Sequence, residues 1–134
     1  MKNRLEWLEP IAYCALRIVA GSMFLTHGAQ KIFGWFSPKA IPAALSQLWF
    51  GGLIELVGGA LIALGLFTRP AAFVCAGTMA VAYFQFHWKL QVAANKWVPL
   101  VNQGEMAVLY CFVFLLIFAR GPGPVSLDRL LRRR

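Results

Sequence analysis

The sequence predicts an all-α integral membrane protein, a four-helix bundle with both termini cytoplasmic, and three observations carry that prediction. Of its 134 residues, 60% are hydrophobic and only 13% charged, against roughly 25% charged in soluble domains. So little polar surface cannot coat a soluble particle of this size. The apolar residues gather in four runs, about 10–33, 49–68, 71–92 and 104–120, each long enough for a bilayer core of roughly 30 Å. The charges sit at the ends of those runs, so the net +8 reads as positive-inside patterning and no nucleic-acid partner is expected.

Residues 1–9, MKNRLEWLE, read as an interfacial lead-in, with Leu5, Trp7 and Leu8 for lipid and Lys2 and Arg4 for headgroups. Pro10 suits a first helical turn, where its missing N–H is no loss. The first run exceeds a signal-peptide core in length and carries internal charges, so it is expected to be retained. At about 100° per residue, Arg17, Gly21, Phe24, Gly28 and Lys31 share one stripe of this helix, with His27 at its edge. Charges facing lipid are costly, so the stripe is expected to face other helices or a watery cavity.

Pro38 and Pro42 break the connection that follows. The second run carries Gly51, Gly52, Gly58, Gly59 and Gly65, which permit close helix approach, and ends at Thr68-Arg69-Pro70. The third run starts directly after that proline. A polar loop, AANKWVPLVNQ, leads to the fourth run at Gly104-Glu105, and GPGP breaks the chain again. Residues 121–134 read as a basic interfacial tail whose SLDRLLRRR forms a short helix with Ser126 as cap.

Four crossings of a single domain, 1–134, put Lys2, Arg4, Arg69, Arg120, Arg129 and Arg132 to Arg134 on one side, which places both termini in the cytoplasm. The expected location is a bacterial-type inner membrane. Four tryptophans, Trp35, Trp49, Trp88 and Trp97, fall near the outer boundary and Trp7 near the inner one, as an aromatic belt. Cys14, Cys75 and Cys111 stand singly in apolar runs and read as buried, inert thiols; no CxxC and no metal-ligand spacing is present.

A shift of 60 residues superposes Pro10 on Pro70, Phe24 on Phe84 and His27 on His87. Each histidine lies 17 positions after its proline (27 − 10 and 87 − 70), about 26 Å along the helix axis. Each such helix is followed by one with a glutamate just inside its start, Glu55 and Glu105. Antiparallel threading then brings His27, Lys31, Glu55, His87 and Glu105 to the outer third of the bundle, with Lys89, Asn102 and Gln103 nearby. A second set, Arg17, Arg69, Arg120 and Asp128, gathers toward the inner face.

Each of these residues also has a plainer reading. Glu55 serves equally as a counter-ion stapling the first two helices through Lys31 or Arg17. His27 alone reads as a satisfied interior histidine, Lys89 as a snorkelling side chain, and Arg69 and Arg120 as topological anchors. Six ionisable groups at one depth nonetheless exceed what a staple needs.

In the stretches LRIVAGSMFLTHGAQKIFG, GGLIELVGGALIALGLFTRP, FQFHW and NQGEMAVLY…GPGPVSLD, the chain resembles the DoxX family. The motifs are HGxxK, GxxExxGG and GLxTR, weak singly and moderately specific together. The resemblance implies a four-helix membrane bundle and a role in an oxidoreductase system, since the family takes its name from subunits of a thiosulfate:quinone oxidoreductase. Nothing in the spacing here shows sulfur chemistry.

The functional reading favoured is a subunit of a quinone-linked oxidoreductase system. His27 or His87 would bond a quinone carbonyl, Lys31 would stabilise an anionic ring, and Glu55 or Glu105 would relay protons, with Asn102 beside them. No flavin or iron–sulfur motif is present, so electrons would come from a substrate or a soluble redox partner. Whether the chain is an enzyme in its own right stays open. The alternatives are a small-solute or anion transport component, which requires a homo-oligomer, and a structural anchor whose basic tail docks a soluble partner or anionic lipid. A bis-histidine haem on His27 and His87 is disfavoured, because Lys31 and Glu55 offer the imidazoles simpler partners.

Overall fold

The structure is a computed structural model that describes residues 5–132. Lys2, Arg4, Arg133 and Arg134 of the expected basic termini lie outside the described residues. Among the described residues the chain is all-helical, with no strands.

Helix α1 (Leu8–Phe33) stops where Gly34 adopts the left-handed φ of 71° and returns its N–H to Gln30 O. Helix α2 (Gln47–Leu64) begins at Ser46, whose Oγ accepts from the Trp49 N–H at 3.2 Å, a serine cap satisfying one of the four free N–H groups of a helix start. The start falls two residues ahead of the expected 49. Both helices are long and apolar enough to cross a membrane.

The stripe on α1 is a packing face: Arg17, Gly21, Phe24 and Gly28 are all buried. Gly21 lies against Gly59 and Ala63, and Gly28 against Gly52 and Leu56, so the two helices cross antiparallel. A Cβ on Gly28 would come within 2.7 Å of Gly52 O, and one on Gly59 within 2.7 Å of Gly21 O. Only glycine lets the backbones approach this closely.

Helix α3 (Thr68–Ala82) continues into a π-helical turn, Tyr83–Trp88, closed by the Lys89 N–H donating to Phe84 O at 3.0 Å. The expected third span, 71–92, therefore ends early. YFQFHW places four aromatic rings and an imidazole in six positions; the wider turn accommodates them, with Phe84 and Trp88 rings 5.5 Å apart, and Lys89 and Leu90 leave the helix at φ 54° and 55°. π-turns mark functional sites more often than chance. A 3-10 turn (Ala93–Asn95), the short α4 (Pro99–Asn102), α5 (Glu105–Arg120) and α6 (Leu127–Arg132) complete the described chain.

Two tight helix pairs, α1 with α2 and α3 with α5, join mainly through α2 and α3. Phe24, Ile62, Cys75, Phe114 and Ile117 form the centre of the core. Cys14, Cys75 and Cys111 are free thiols. Val19, Val57, Phe73, Leu109 and Phe112, spread over α1, α2, α3 and α5, are exposed, an apolar exterior of the kind that meets lipid.

Candidate functional site

A cavity of about 350 Å³ opens among α1, α2, the α3–π segment and α5, lined by His27, Lys31, Glu55, His87 and Tyr110 among apolar side chains that include Phe24, Met79 and Phe86. Glu55 is 3% exposed. Its Oε1 accepts from Lys31 Nζ at 2.5 Å, while its Oε2 is buried with no hydrogen-bond partner. Lys31 reaches this position because Gly52 leaves room: a Cβ there would lie 2.6 Å from Lys31 Cβ. The HGxxK and GxxExxGG motifs thus form the two sides of one ion pair.

His27 stands edge-on to Tyr110, with ring centroids 6.2 Å apart at 88°. Tyr110 stacks on Phe114, 5.5 Å between centroids, and its hydroxyl is buried with no partner. His87, half-buried on the π-turn, has Nδ1 3.3 Å from Asn102 O. A carbonyl oxygen only accepts, so this contact requires a proton on Nδ1. The cavity therefore offers a carboxylate, an ammonium, two imidazoles and a phenol within aromatic and thioether walls.

Two residues expected here stand elsewhere. Glu105 is exposed and borders a separate surface depression with Pro99 and Phe112. The buried face of α5 is Ala107, Tyr110, Phe114 and Ile117, and Glu105, two residues ahead of Ala107, lies about 200° around the helix from it. Asn102 braces the loop: its Nδ2 donates to Lys96 O at 2.9 Å and to the Tyr83 hydroxyl at 3.3 Å, and its Oδ1 accepts from the Gly104 N–H at 2.8 Å. Only its backbone oxygen meets a cavity residue. Lys89 is exposed.

At the opposite end, the four residues of the second set bind separately. Arg17 is 1% exposed and donates to Ala63 O at 2.8 Å, to Ile62 O and to Val125 O. Arg69 donates to Phe118 O at 2.9 Å and Ala119 O at 3.0 Å, closing the end of α5. Arg120 pairs with Glu9 and lies 4.1 Å from the Tyr13 ring centroid. Asp128 accepts from Phe67 N–H at 2.8 Å, Thr68 N–H at 2.9 Å and Thr68 Oγ1 at 2.8 Å, capping α3. Burial alone would raise the Asp128 carboxyl pKa. The hydrogen bonds from Thr68 and Phe67 and the nearby Arg132 charge outweigh burial and hold it below the ordinary 3.8.

The DoxX family model matches residues 12–88, more than half of the chain. The chain belongs to the DoxX family. Three relatives are similar over nearly the whole of it. An uncharacterised protein of Haemophilus influenzae is 40% identical, over 94% of this chain and 95% of its own. The inner membrane protein YqjF of Escherichia coli K12 is 30% identical, over 95% and 97%. An uncharacterised membrane protein of Mycobacterium tuberculosis is 31% identical, over 93% and 84%. No solved structure matches the chain. With these relatives and its apolar exterior, this DoxX chain is a membrane protein.

The stretch matched by the DoxX family model contains His27, Lys31, Glu55 and His87, whereas Tyr110 lies beyond it. Tyr110 is the cavity residue that sequence reasoning missed. A lone tyrosine in an apolar span reads as packing or lipid contact. Its signal was the spacing Ala107, Tyr110, Phe114, Ile117, a helical stripe that turns the phenol inward.

Proposed function

We propose that this chain is a four-span inner-membrane subunit of a quinone-linked oxidoreductase system, with both termini cytoplasmic, and that the cavity is its quinone site. One observation carries the reading. Glu55 Oε2 and the Tyr110 hydroxyl, two buried polar atoms without partners, belong to side chains lining the same largely apolar cavity. Each such atom costs about 1–3 kcal/mol, so a fold that keeps two of them around one cavity is arranged for an occupant that satisfies both.

The quinone–quinol pair has that chemistry: a flat apolar body with an oxygen at either side, which accepts from Tyr110 in either form and, as a quinol hydroxyl, donates to Glu55 Oε2. A bound quinone takes up two electrons, from a two-electron donor carried by a soluble partner subunit, and two protons. The Tyr110 hydroxyl donates to one ring oxygen. Glu55 would relay protons to the other ring oxygen as the ring is reduced, and Lys31 Nζ, bonded to Oε1, holds the carboxyl in place. His27 and His87 offer further donors or acceptors at the rim. The cavity volume lies at the lower end of small-ligand sites, about 300–1,000 Å³, which suits a ring with its tail leaving into lipid. The topology rests on Arg69, Arg120, Arg129 and Arg132 gathering at the termini end, the positive-inside signature.

The experiment is titration of the purified chain with a short-tailed quinone and with its quinol, followed by tryptophan fluorescence. Saturable binding is expected, weakened about tenfold or more for both forms in Tyr110→Phe, which loses the hydrogen bond to a ring oxygen, and for the quinol in Glu55→Gln, which loses a charge-assisted acceptor. Binding equal to the unaltered chain in both variants rejects the quinone site. Solute uptake by proteoliposomes that is lost in His27→Ala would favour the transport reading instead.

A further inference from the structure

We propose that the groove where α6 meets α1 and the end of α2 binds the phosphate headgroup of an anionic phospholipid. This cavity of about 400 Å³ is lined by Arg17, Ser126 and Arg129 with Ile18, Leu64 and Leu130, and it shares none of these residues with the outer cavity.

The argument begins with the charge of Arg17. It is the largest of the fully buried side chains, and its guanidinium meets three backbone carbonyls, those of Ile62, Ala63 and Val125, with Nε left unpartnered. Among the described residues no carboxylate forms a salt bridge with it. The carbonyls of Ile62 and Ala63 lie at the negative end of the α2 dipole, which offsets only about half a charge. The acids Asp128 and Glu9 at this end are already committed, Asp128 to the start of α3 and Glu9 to Arg120. Arg129, exposed on α6, adds a second cation to the same groove. Two guanidiniums therefore converge on one recess for which these carboxylates supply no counter-ion.

The three carbonyls meet the hydrogen-bonding need of Arg17 but carry no full negative charge, so the recess favours an added anion. The walls decide its kind. Ile18, Leu64 and Leu130 are apolar and continue into the exterior that meets lipid, so the fitting anion carries hydrocarbon with it. Ser126 Oγ donates to Gly123 O and accepts from the Arg129 N–H, leaving the headgroup to the arginines. Arg129 provides a planar fork for two phosphate oxygens, and Arg17 acts through its field.

The test uses the full chain in a mild neutral detergent, with thermal unfolding followed on addition of dioleoyl phosphatidylglycerol, dioleoyl phosphatidylcholine or inorganic phosphate. The acidic lipid is expected to raise Tm by about 4 °C more than the zwitterionic one. Arg129→Gln should remove at least about half of that increment. Arg132→Gln, on the same tail but outside the groove, should keep most of it. Equal shifts from the two lipids, an unchanged increment in Arg129→Gln, or equal losses in the two arginine variants would overturn the site. Inorganic phosphate reproducing the whole shift would overturn the lipid assignment. Native mass spectrometry of the same preparations supplies a second readout: a retained acidic lipid adduct in the unaltered chain, depleted in Arg129→Gln.

Discussion

At the end of the molecule where α1 starts and α6 lies, Arg17, Arg69 and Asp128 direct their polar atoms at backbone groups, closing the end of α2, the end of α5 and the start of α3. At the opposite end, Glu55 leaves one oxygen and Tyr110 its hydroxyl without any partner. Both regions draw on ionisable residues within or beside apolar helices, yet one uses them as caps and the other holds them around a cavity. The difference follows from what each side chain can reach. Helix ends present free carbonyls and N–H groups for capping, whereas mid-helix backbone is already bonded, so Glu55 Oε2 and the Tyr110 hydroxyl find no backbone partner. Polar atoms that close helix ends should matter for stability, and those around the cavity for binding.

The largest expected effect breaks the first half of that contrast. Arg17→Met should lower stability by about 3 kcal/mol, because it strands carbonyls of buried backbone that no water replaces. Thermal unfolding in detergent checks this, and quinone titration of whatever remains folded should give near-normal affinity. A loss of affinity with unchanged melting would invert the assignment of the two ends.

Glu55→Gln is the matching change at the cavity. Weakening of quinol binding by about tenfold, or ~1.4 kcal/mol, should accompany a smaller change in melting. Lys31 retains 34% side-chain exposure, so its ammonium can turn to water once its partner is neutral.

Asp128→Asn sharpens the capping side and carries a pH signature. Its loss should cost about 1 kcal/mol at pH 7, as for other helix caps. A carboxyl whose folded pKa lies below 3.8 contributes stability that is complete above the unfolded value and fades as pH falls through the folded one. The gap between the unaltered chain and Asp128→Asn should therefore hold from pH 7 to about 5 and close at more acid pH, which melts across that range will show. A gap that widens on acidification would contradict the capping role.

How much of this contrast was legible in the sequence varies by residue. The α1 stripe of Arg17, Gly21, Phe24 and Gly28 followed from helical periodicity and forms the packing face. Lys31 and Glu55 could be paired by antiparallel counting, since their positions depend only on two regular helices and one crossing. Glu105 could not be placed that way: depth along an axis says nothing of direction around it, and two residues suffice to turn a side chain away from the interior. The π-turn at Tyr83–Trp88 was hidden because hydrophobic patterning does not distinguish an i→i+4 from an i→i+5 ladder. The separate binding of Arg17, Arg69, Arg120 and Asp128 was hidden for a different reason. Their partners are mostly backbone atoms or an aromatic face, which no search for complementary charges reveals.

The smallest effect has the opposite sign and tests the cavity most directly. A buried hydroxyl without a partner opposes folding, since it gives up its hydrogen bonds to water and receives nothing in return. Tyr110→Phe keeps the ring, its stacking on Phe114 and its edge contact with His27, and removes only that oxygen. The unliganded chain should therefore melt slightly higher, by about 1 kcal/mol in stability, the low end of the cost of a buried unpartnered hydroxyl, while quinone binding weakens. A residue kept only for packing would show the gain without the loss. One that stabilised the fold through its hydroxyl would melt lower when the oxygen is removed. Higher stability together with weaker binding is the pattern of an atom retained for its ligand against the preference of the fold, and measuring melting and titration on the same Tyr110→Phe preparation separates the three cases.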